Sequence, residues 1–122
     1  MLDLETIRTH CLKKEGKITE DFPFDDVTLV FRVNGKMFIL ISTAEHPMTV
    51  NLKCDPERAI ELRERYPAVT PGYHMNKKHW NTVTLDGSVP PKEVLTMIDH
   101  SFALVAKDAK PARRRTSPKK KS

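Results

Sequence analysis

The sequence predicts an α+β two-layer sandwich in which an antiparallel sheet carries its helices on one face. Apolar residues recur at helical spacing in three segments and alternate at strand spacing between them, in the order helix, three strands, helix, two strands, helix. An antiparallel sheet covered by helices on one side is the economical arrangement for this order, and it leaves the other face or an edge available for contact. The 122 residues, 39% of them hydrophobic, fit one compact domain.

The first helix is predicted near residues 3–14, where Asp3 can cap the start. Two strands, residues 27–33 and 36–42, flank Asn34-Gly35, a strong signal for a two-residue hairpin. Alternation in the second strand predicts one face with Met37, Ile39 and Ile41 and an opposite face with Phe38 and Leu40.

The third strand, residues 48–53, alternates apolar and polar side chains, so Asn51 and Lys53 should face outward. Asp55-Pro56-Glu57 then supplies a cap, a first-turn proline and a first-turn acid for a second helix, which Pro67 ends. The apolar side of this helix should hold Ala59, Ile60, Leu62 and Tyr66.

A polar and aromatic loop follows the Pro71-Gly72 turn and leads to a short strand at residues 82–85. The final helix is predicted to begin near Pro90 or Pro91, and its apolar pattern ends at Ala106. The covered face of this helix should hold Val94, Leu95, Ile98, Phe102 and Val105.

The net charge of +5 is unevenly distributed along the chain. Residues 107–122 hold eight Lys or Arg and one acid, whereas residues 1–106 hold thirteen basic residues and fifteen acids. The sequence therefore divides into a folded domain, residues 1–106, and a disordered basic tail, residues 107–122. An argument for nucleic-acid binding from overall charge concerns the tail only.

Four segments of the sequence resemble the MmcQ/YjbR family: Val50 to Ala59, Arg65-Tyr66-Pro67, Pro71 to Val83, and Ile98-Asp99-His100-Ser101. The resemblance covers nearly all of residues 1–106. It implies a fold like that of type III secretion chaperones and a role as a small bacterial DNA-binding protein.

The stretch from His74 to Asn81 holds the side chains that DNA binding needs. Lysines, histidines and asparagines contact phosphates or base edges, and an aromatic ring gives a stacking surface. The candidate DNA-binding residues of the domain are Asn51, Lys53, His74, Asn76, Lys77, Lys78, His79, Trp80 and Asn81. In the alternative interpretation Trp80 packs on the sheet, the two loop asparagines satisfy backbone groups, and the lysines are merely solvated.

The tail offers a second set of candidate DNA contacts. Ser117-Pro118-Lys119-Lys120 is similar to the SPKK repeat of linker histone tails, which is associated with A/T-rich minor grooves. The candidate residues are Arg113, Arg114, Arg115, Lys119, Lys120 and Lys121. The alternative is a solubilising extension with no defined partner.

Metal binding and catalysis are not indicated. Cys11 and Cys54 stand apart without ligand spacing, and His74 and His79 are five residues apart, which suits neither a strand face nor a helix face. No nucleophile elbow, P-loop or dinucleotide fingerprint occurs. We therefore expect no enzyme activity, no metal and no cofactor.

The residues and the resemblance together predict a non-enzymatic DNA-binding protein that acts as a monomer or weak dimer. No apolar run approaches the roughly 20 residues of a membrane helix and the start lacks a signal-peptide pattern, so the expected compartment is the cytoplasm. The rival hypothesis is a chaperone-like module that binds a protein or peptide with a sheet face or edge.

Overall fold

The computed structural model describes residues 2–72 and 75–108. These ranges contain three helices and six strands, four of which precede the second helix. Their bounds are α1 Leu4–Leu12, β1 Ile18–Asp21, β2 Thr28–Val33, β3 Lys36–Ser42, β4 Thr49–Lys53, α2 Pro56–Arg65, β5 Val69–Pro71, β6 Trp80–Thr84 and α3 Pro91–Asp108.

The six strands form one antiparallel sheet in the order β1-β2-β3-β4-β6-β5. The helices pack on one face of this sheet, with α3 lying across β2, β3 and β4. The predicted fold class, an α+β sandwich with helices on one side, is thereby confirmed. The structure adds the edge strand β1, which the sequence analysis missed because Ile18 is its one apolar residue.

Local signals in the sequence act as predicted at three element boundaries. A carboxylate oxygen of Asp3 accepts a hydrogen bond from the Thr6 amide at 2.8 Å and caps α1. Asp55 caps α2 in the same way, accepting from the Glu57 amide at 3.2 Å. Asn34 and Gly35, with φ of 50° and 88°, both adopt the left-handed conformation that a tight hairpin between β2 and β3 requires.

A β-bulge changes the predicted faces of β3. Phe31 pairs with Ile39 and Arg32 pairs with Met37, so Phe38 is an extra residue in the strand. Phe38 therefore points into the core under the helices, where its ring meets Phe102 edge-on at 5.3 Å. The prediction that placed Phe38 opposite Ile39 was wrong, since strict alternation fails at a bulge.

The main core lies between the sheet and the helices. Inward-facing residues of β2, β3, β4 and β6 meet the apolar face of α3 there. Its fully buried members include Ile7, Phe31, Ile39, Ile41, Val50, Val83, Val94 and Ile98. One prediction made for α2 was wrong, because Ile60 is 53% exposed rather than buried. The helix α3 runs to Asp108, two residues beyond the end of its apolar pattern.

The opposite side of the sheet, here called the open face, is covered by none of the three helices in the described ranges. Its side chains are those that alternate with the core residues along each strand. A small second apolar cluster lies on this face, formed by Val30, Leu40 and Trp80 with Met37 and Met75 against it. No helix in the described ranges is long and apolar enough to cross a membrane.

Candidate nucleic-acid interface

The loop between β5 and β6 is held by hydrogen bonds of its own. The Asn76 side chain accepts from the Lys78 amide at 2.9 Å, and its carbonyl accepts from the amides of His79 and Trp80 at 3.0 and 2.8 Å. Asn76 therefore shapes the turn, as the alternative interpretation predicts, although its side chain is exposed. Tyr73 and the candidate His74 lie outside the described residues.

The two lysines of the loop remain available for phosphate contact. Lys77 and Lys78 are both exposed. The backbone of Lys77 is fixed because its carbonyl accepts a hydrogen bond from the guanidinium of Arg63 on α2. His79 is half-buried, and its carbonyl accepts from the Cys54 amide at 2.7 Å. The loop thus presents its lysine side chains from an anchored backbone.

Trp80 does not offer an open stacking surface. It is the first residue of β6, only 9% exposed, and it packs on the open face against Val30 and Leu40. Gly72 lies directly against it, because a Cβ atom there would stand 2.9 Å from the Trp80 Cβ. The predicted stacking of a base on a freely exposed Trp80 is therefore wrong, and the packed alternative describes this residue.

Asn81 lies on the other side of the sheet. Because β6 already begins at Trp80, its next residue points under the helices, where Asn81 is 2% exposed. Its Oδ1 accepts from Arg63 Nε at 2.7 Å and its Nδ2 donates to the Ala59 carbonyl at 3.4 Å. Both polar atoms are satisfied inside the protein, so the predicted contact of Asn81 with DNA is wrong.

Asn51 and Lys53 occupy the open face, as predicted, and both are half-buried. The Asn51 Oδ1 accepts from the Thr82 hydroxyl at 2.5 Å across the β4–β6 pair. The Lys53 Nζ stands 3.7 Å from a carboxylate oxygen of Asp108 at the end of α3. Of Asn51 and Lys53, it is Lys53 that brings a positive charge to the surface of the open face.

A groove of about 480 Å³ opens at the end of the sheet where the β2–β3 hairpin turns and α3 ends. It is referred to below as the open-face groove. Its cationic lining comes from Arg32, Lys36 and Lys53, and its apolar lining includes Phe24, Met37 and Trp80. Of the predicted site residues, the structure brings Lys53 and Trp80 together here.

Sequence reasoning missed the other seven residues that line the open-face groove: Phe24, Arg32, Gly35, Lys36, Met37, Val105 and Asp108. One signal was available, because Arg32 interrupts an otherwise apolar strand. Arg32 donates to the Asp21 carboxylate at 2.6 Å on the neighbouring edge strand. Ion pairs at such exposure contribute about 0–1 kcal/mol, so a phosphate can replace either carboxylate beside the groove cations.

The C-terminal end of α3 forms part of the groove rim. Asp108, the last described residue, lines the groove. The sequence that follows it, residues 109–122, holds seven Lys or Arg and no acid. The tail candidates Arg113, Arg114, Arg115, Lys119, Lys120 and Lys121 lie outside the described residues. This basic segment begins at residue 109, one residue after the groove-lining Asp108 in the sequence.

The domain interior contains two cysteine thiols and the partly buried imidazole of His100. Burial raises the pKa of the Cys11 thiol to about 12 and that of Cys54 to about 11, so neither is a thiolate at neutral pH. His100 accepts from the Asp55 amide at 3.2 Å, and burial together with the charge of Arg58 lowers its pKa. Among residues 2–72 and 75–108, no three His, Cys, Asp or Glu side chains are grouped to hold a metal.

These features define a class of small α+β proteins with one helical layer and an open sheet face. Comparison with known proteins identifies the family: a YjbR family model matches residues 12–104, and the chain belongs to the YjbR family. The chain is 31% identical to YjbR of Escherichia coli K12 over 101 residues, 83% of this chain and 85% of that one. It is 37% identical to YbdF of Escherichia coli O157:H7 over 84 residues, 69% of each chain.

Solved structures show the same fold. The crystal structure of Deinococcus radiodurans protein DR2400, a DUF419 domain, is similar to this chain with a TM-score of 0.84 and 41% identity, over 92% of this chain and 84% of that one. A crystal structure of a Pseudomonas syringae protein gives a TM-score of 0.72 and 30% identity, over 85% of this chain and 99% of that one. The names of these relatives specify no ligand or reaction, so the comparisons identify family and fold.

Proposed function

We propose that this protein binds DNA in the cytoplasm without catalysing a reaction, as a monomer or weak dimer. The observation that carries the proposal is the open-face groove, where Arg32, Lys36 and Lys53 line one depression and α3 ends with Asp108 at its rim. Cations grouped around a concave surface attract the phosphate backbone, which supplies most of the affinity in DNA binding. Asn51, beside Lys53 on β4, extends this polar surface.

The remaining basic groups supply further phosphate contacts in this proposal. Lys77 and Lys78 precede Trp80, whose ring lines the groove, by three and two residues. Seven basic residues follow Asp108 and add attraction that depends little on DNA sequence. The groove provides a defined site and the tail raises association and affinity electrostatically. The thiols support the non-enzymatic part, since their raised pKa makes them poor nucleophiles.

The experiment compares full-length variants that lose the same charge in different places. Lys36→Gln with Lys53→Gln removes two groove cations, and the control, Arg65→Gln with Lys92→Gln, removes two cations elsewhere on the domain, since Arg65 and Glu93, the residue next to Lys92, line a separate pocket. Lys92 lies in the first turn of α3, sixteen residues before Asp108, so it is about 24 Å from the groove along the helix. Binding is measured by fluorescence anisotropy of labelled duplex and single-stranded DNA at several salt concentrations.

The groove variant should lose about two phosphate contacts, so the slope of log affinity against log salt should become shallower by about 2, while the control changes little. Lys77→Gln with Lys78→Gln should weaken binding in the same manner if the loop takes part. Equal losses of DNA affinity in the groove and control variants would show that binding is diffuse electrostatic attraction and does not use the groove. Absence of binding by the full chain at low salt would refute the proposed function.

A second candidate function is peptide binding, favoured by two exposed aromatic rings beside the edge strand β1. Phe22 and Phe24 are 48% and 63% exposed in the segment that joins β1 to β2. An apolar peptide that pairs with the edge or covers these rings would bind with little dependence on salt. The salt series therefore separates the two functions, because DNA binding must weaken steeply.

A further inference from the structure

We infer that the open-face groove receives a single strand of nucleic acid, with an unpaired base resting against the exposed ring of Phe24. This inference depends on the proposed function and specifies its ligand. Three properties of the groove carry it: its concave shape, its exposed aromatic ring, and the position of Lys36 and Lys53 on strands other than the segment that bears that ring.

The shape of the site suits a single strand better than a duplex. Proteins that read duplex DNA push a helix or a two-stranded ribbon into a major groove about 12 Å wide. Here the site is a depression of about 480 Å³, a size that accommodates small organic groups such as a nucleotide. A duplex would contact its rim alone, whereas an unpaired base can enter.

The ring of Phe24 supplies a stacking surface at the mouth of this depression. Phe24 lines the groove although 63% of its surface is exposed to solvent. Bases stack on exposed aromatic rings whatever their identity, and such contacts are a recurring feature of single-strand binding. Met37 and Trp80 continue the apolar surface inward. A base would therefore lie on Phe24 with apolar groups behind it.

The segment that carries Phe24 is ordered before any ligand arrives. The Asp25 Oδ1 accepts from the amides of Val27 and Thr28 at 3.0 and 2.7 Å, and its Oδ2 accepts from the Thr28 hydroxyl at 3.1 Å. These bonds hold the residue next to Phe24 in a fixed turn. A preordered turn beside Phe24 lowers the conformational entropy that its segment loses on binding, which favours use of this ring as a contact.

The charges around the groove set the orientation of the strand. Lys36 and Lys53 stand on β3 and β4, whereas Asp25 and Asp26 immediately follow Phe24 in the chain. Phosphates are attracted to the two lysines and repelled by the two aspartates. The strand should thus run with its backbone along the lysines and a base directed toward Phe24.

The test uses the full chain with three DNA ligands. These are a thymidine strand of twelve nucleotides, an abasic strand with the same number of phosphates, and a duplex. Anisotropy gives the affinity, and fluorescence of Trp80, the single tryptophan, reports occupancy of the groove it lines. Phe24→Ala removes the proposed contact, Phe24→Tyr restores an aromatic ring, and Phe22→Ala is a matched control, since Phe22 is exposed but absent from the lining.

The thymidine strand should bind more tightly than the duplex and should change Trp80 fluorescence. Loss of one base-ring contact in Phe24→Ala should weaken its binding by about 5- to 150-fold. Phe24→Tyr and Phe22→Ala should stay near the unchanged protein. The abasic strand should bind more weakly with a similar salt slope and should be insensitive to Phe24→Ala.

Two results would overturn the inference and are distinguishable from failure of the proposed function. Duplex binding as tight as that of the single strand, with no effect of Phe24→Ala, would leave DNA binding intact and refute the single-strand site. Equal losses in Phe24→Ala and Phe22→Ala would refute the specific base contact. If neither strand nor duplex binds the full chain at low salt, the proposed function itself fails.

Discussion

Arg63 on α2 and Asn81 on β6 are joined by a hydrogen bond of 2.7 Å from the guanidinium Nε to the amide Oδ1. The same guanidinium donates to the Lys77 carbonyl, and the Asn81 amide donates to the Ala59 carbonyl. One side-chain pair therefore ties α2 to the sheet and to the loop that precedes β6.

Replacing Asn81 by Ala should destabilise the fold. The change leaves the Arg63 Nε without its side-chain acceptor and removes a second donor from the Ala59 carbonyl in a buried setting, which costs about 1–3 kcal/mol of unfolding free energy. Urea denaturation followed by circular dichroism measures the loss. Glu64→Ala, an exposed change beside Arg63 on the same helix, should stay within about 0.5 kcal/mol. A similar loss in both variants would contradict the assigned role of the pair.

Two isoleucines on helices should respond very differently to truncation. Ile98 on α3 is fully buried in the main core, so Ile98→Ala should lower the unfolding free energy by about 2–5 kcal/mol. Ile60 on α2 is mostly solvent-exposed, so Ile60→Ala should change it by no more than about 0.5 kcal/mol. Thermal or urea denaturation of both variants measures the two changes in unfolding free energy. A loss above 2 kcal/mol at Ile60 would show that its face of α2 is covered.

Stability should fall as the solution becomes acidic because of His100. Burial and the charge of Arg58 lower its pKa below the ordinary 6.5, so the unfolded chain takes up the proton first. The unfolding free energy should therefore decline as pH drops through 6.5 toward the lower pKa of the folded state. His100→Gln keeps an acceptor for the Asp55 amide but cannot titrate, so urea denaturation between pH 7.5 and 5 should show a shallower decline. If the unfolding free energy of His100→Gln and of the unchanged protein fell in parallel with pH, the proposed contribution of His100 would be refuted.

The fold was predictable from the sequence wherever local chemistry and periodicity agreed. The caps of α1 and α2, the Asn34-Gly35 turn and the covered face of α3 all follow from signals within a few residues. The edge strand β1 and the bulge at Phe38 did not follow, because both depend on pairing with β2 rather than on their own sequence.

The candidate site was predictable only in part, because its residues come from distant parts of the chain. Lys53 and Trp80 were found, but Arg32 and Lys36 reach the same groove through strand pairing and Phe24 reaches it from the segment between β1 and β2. The error at Asn81 has a different source. Reading His74 to Asn81 as one loop placed neighbours on one surface, whereas a strand that begins at Trp80 sends them to opposite layers.

The turn centred on Asn76 also restricts how this region can change in length. Its carbonyl meets the Trp80 amide at 2.8 Å, which fixes the number of residues between the turn and β6. One added or deleted residue there would send Trp80 under the helices and bring the polar Asn81 to the open face. Insertions and deletions between Asn76 and Trp80 should therefore be selected against.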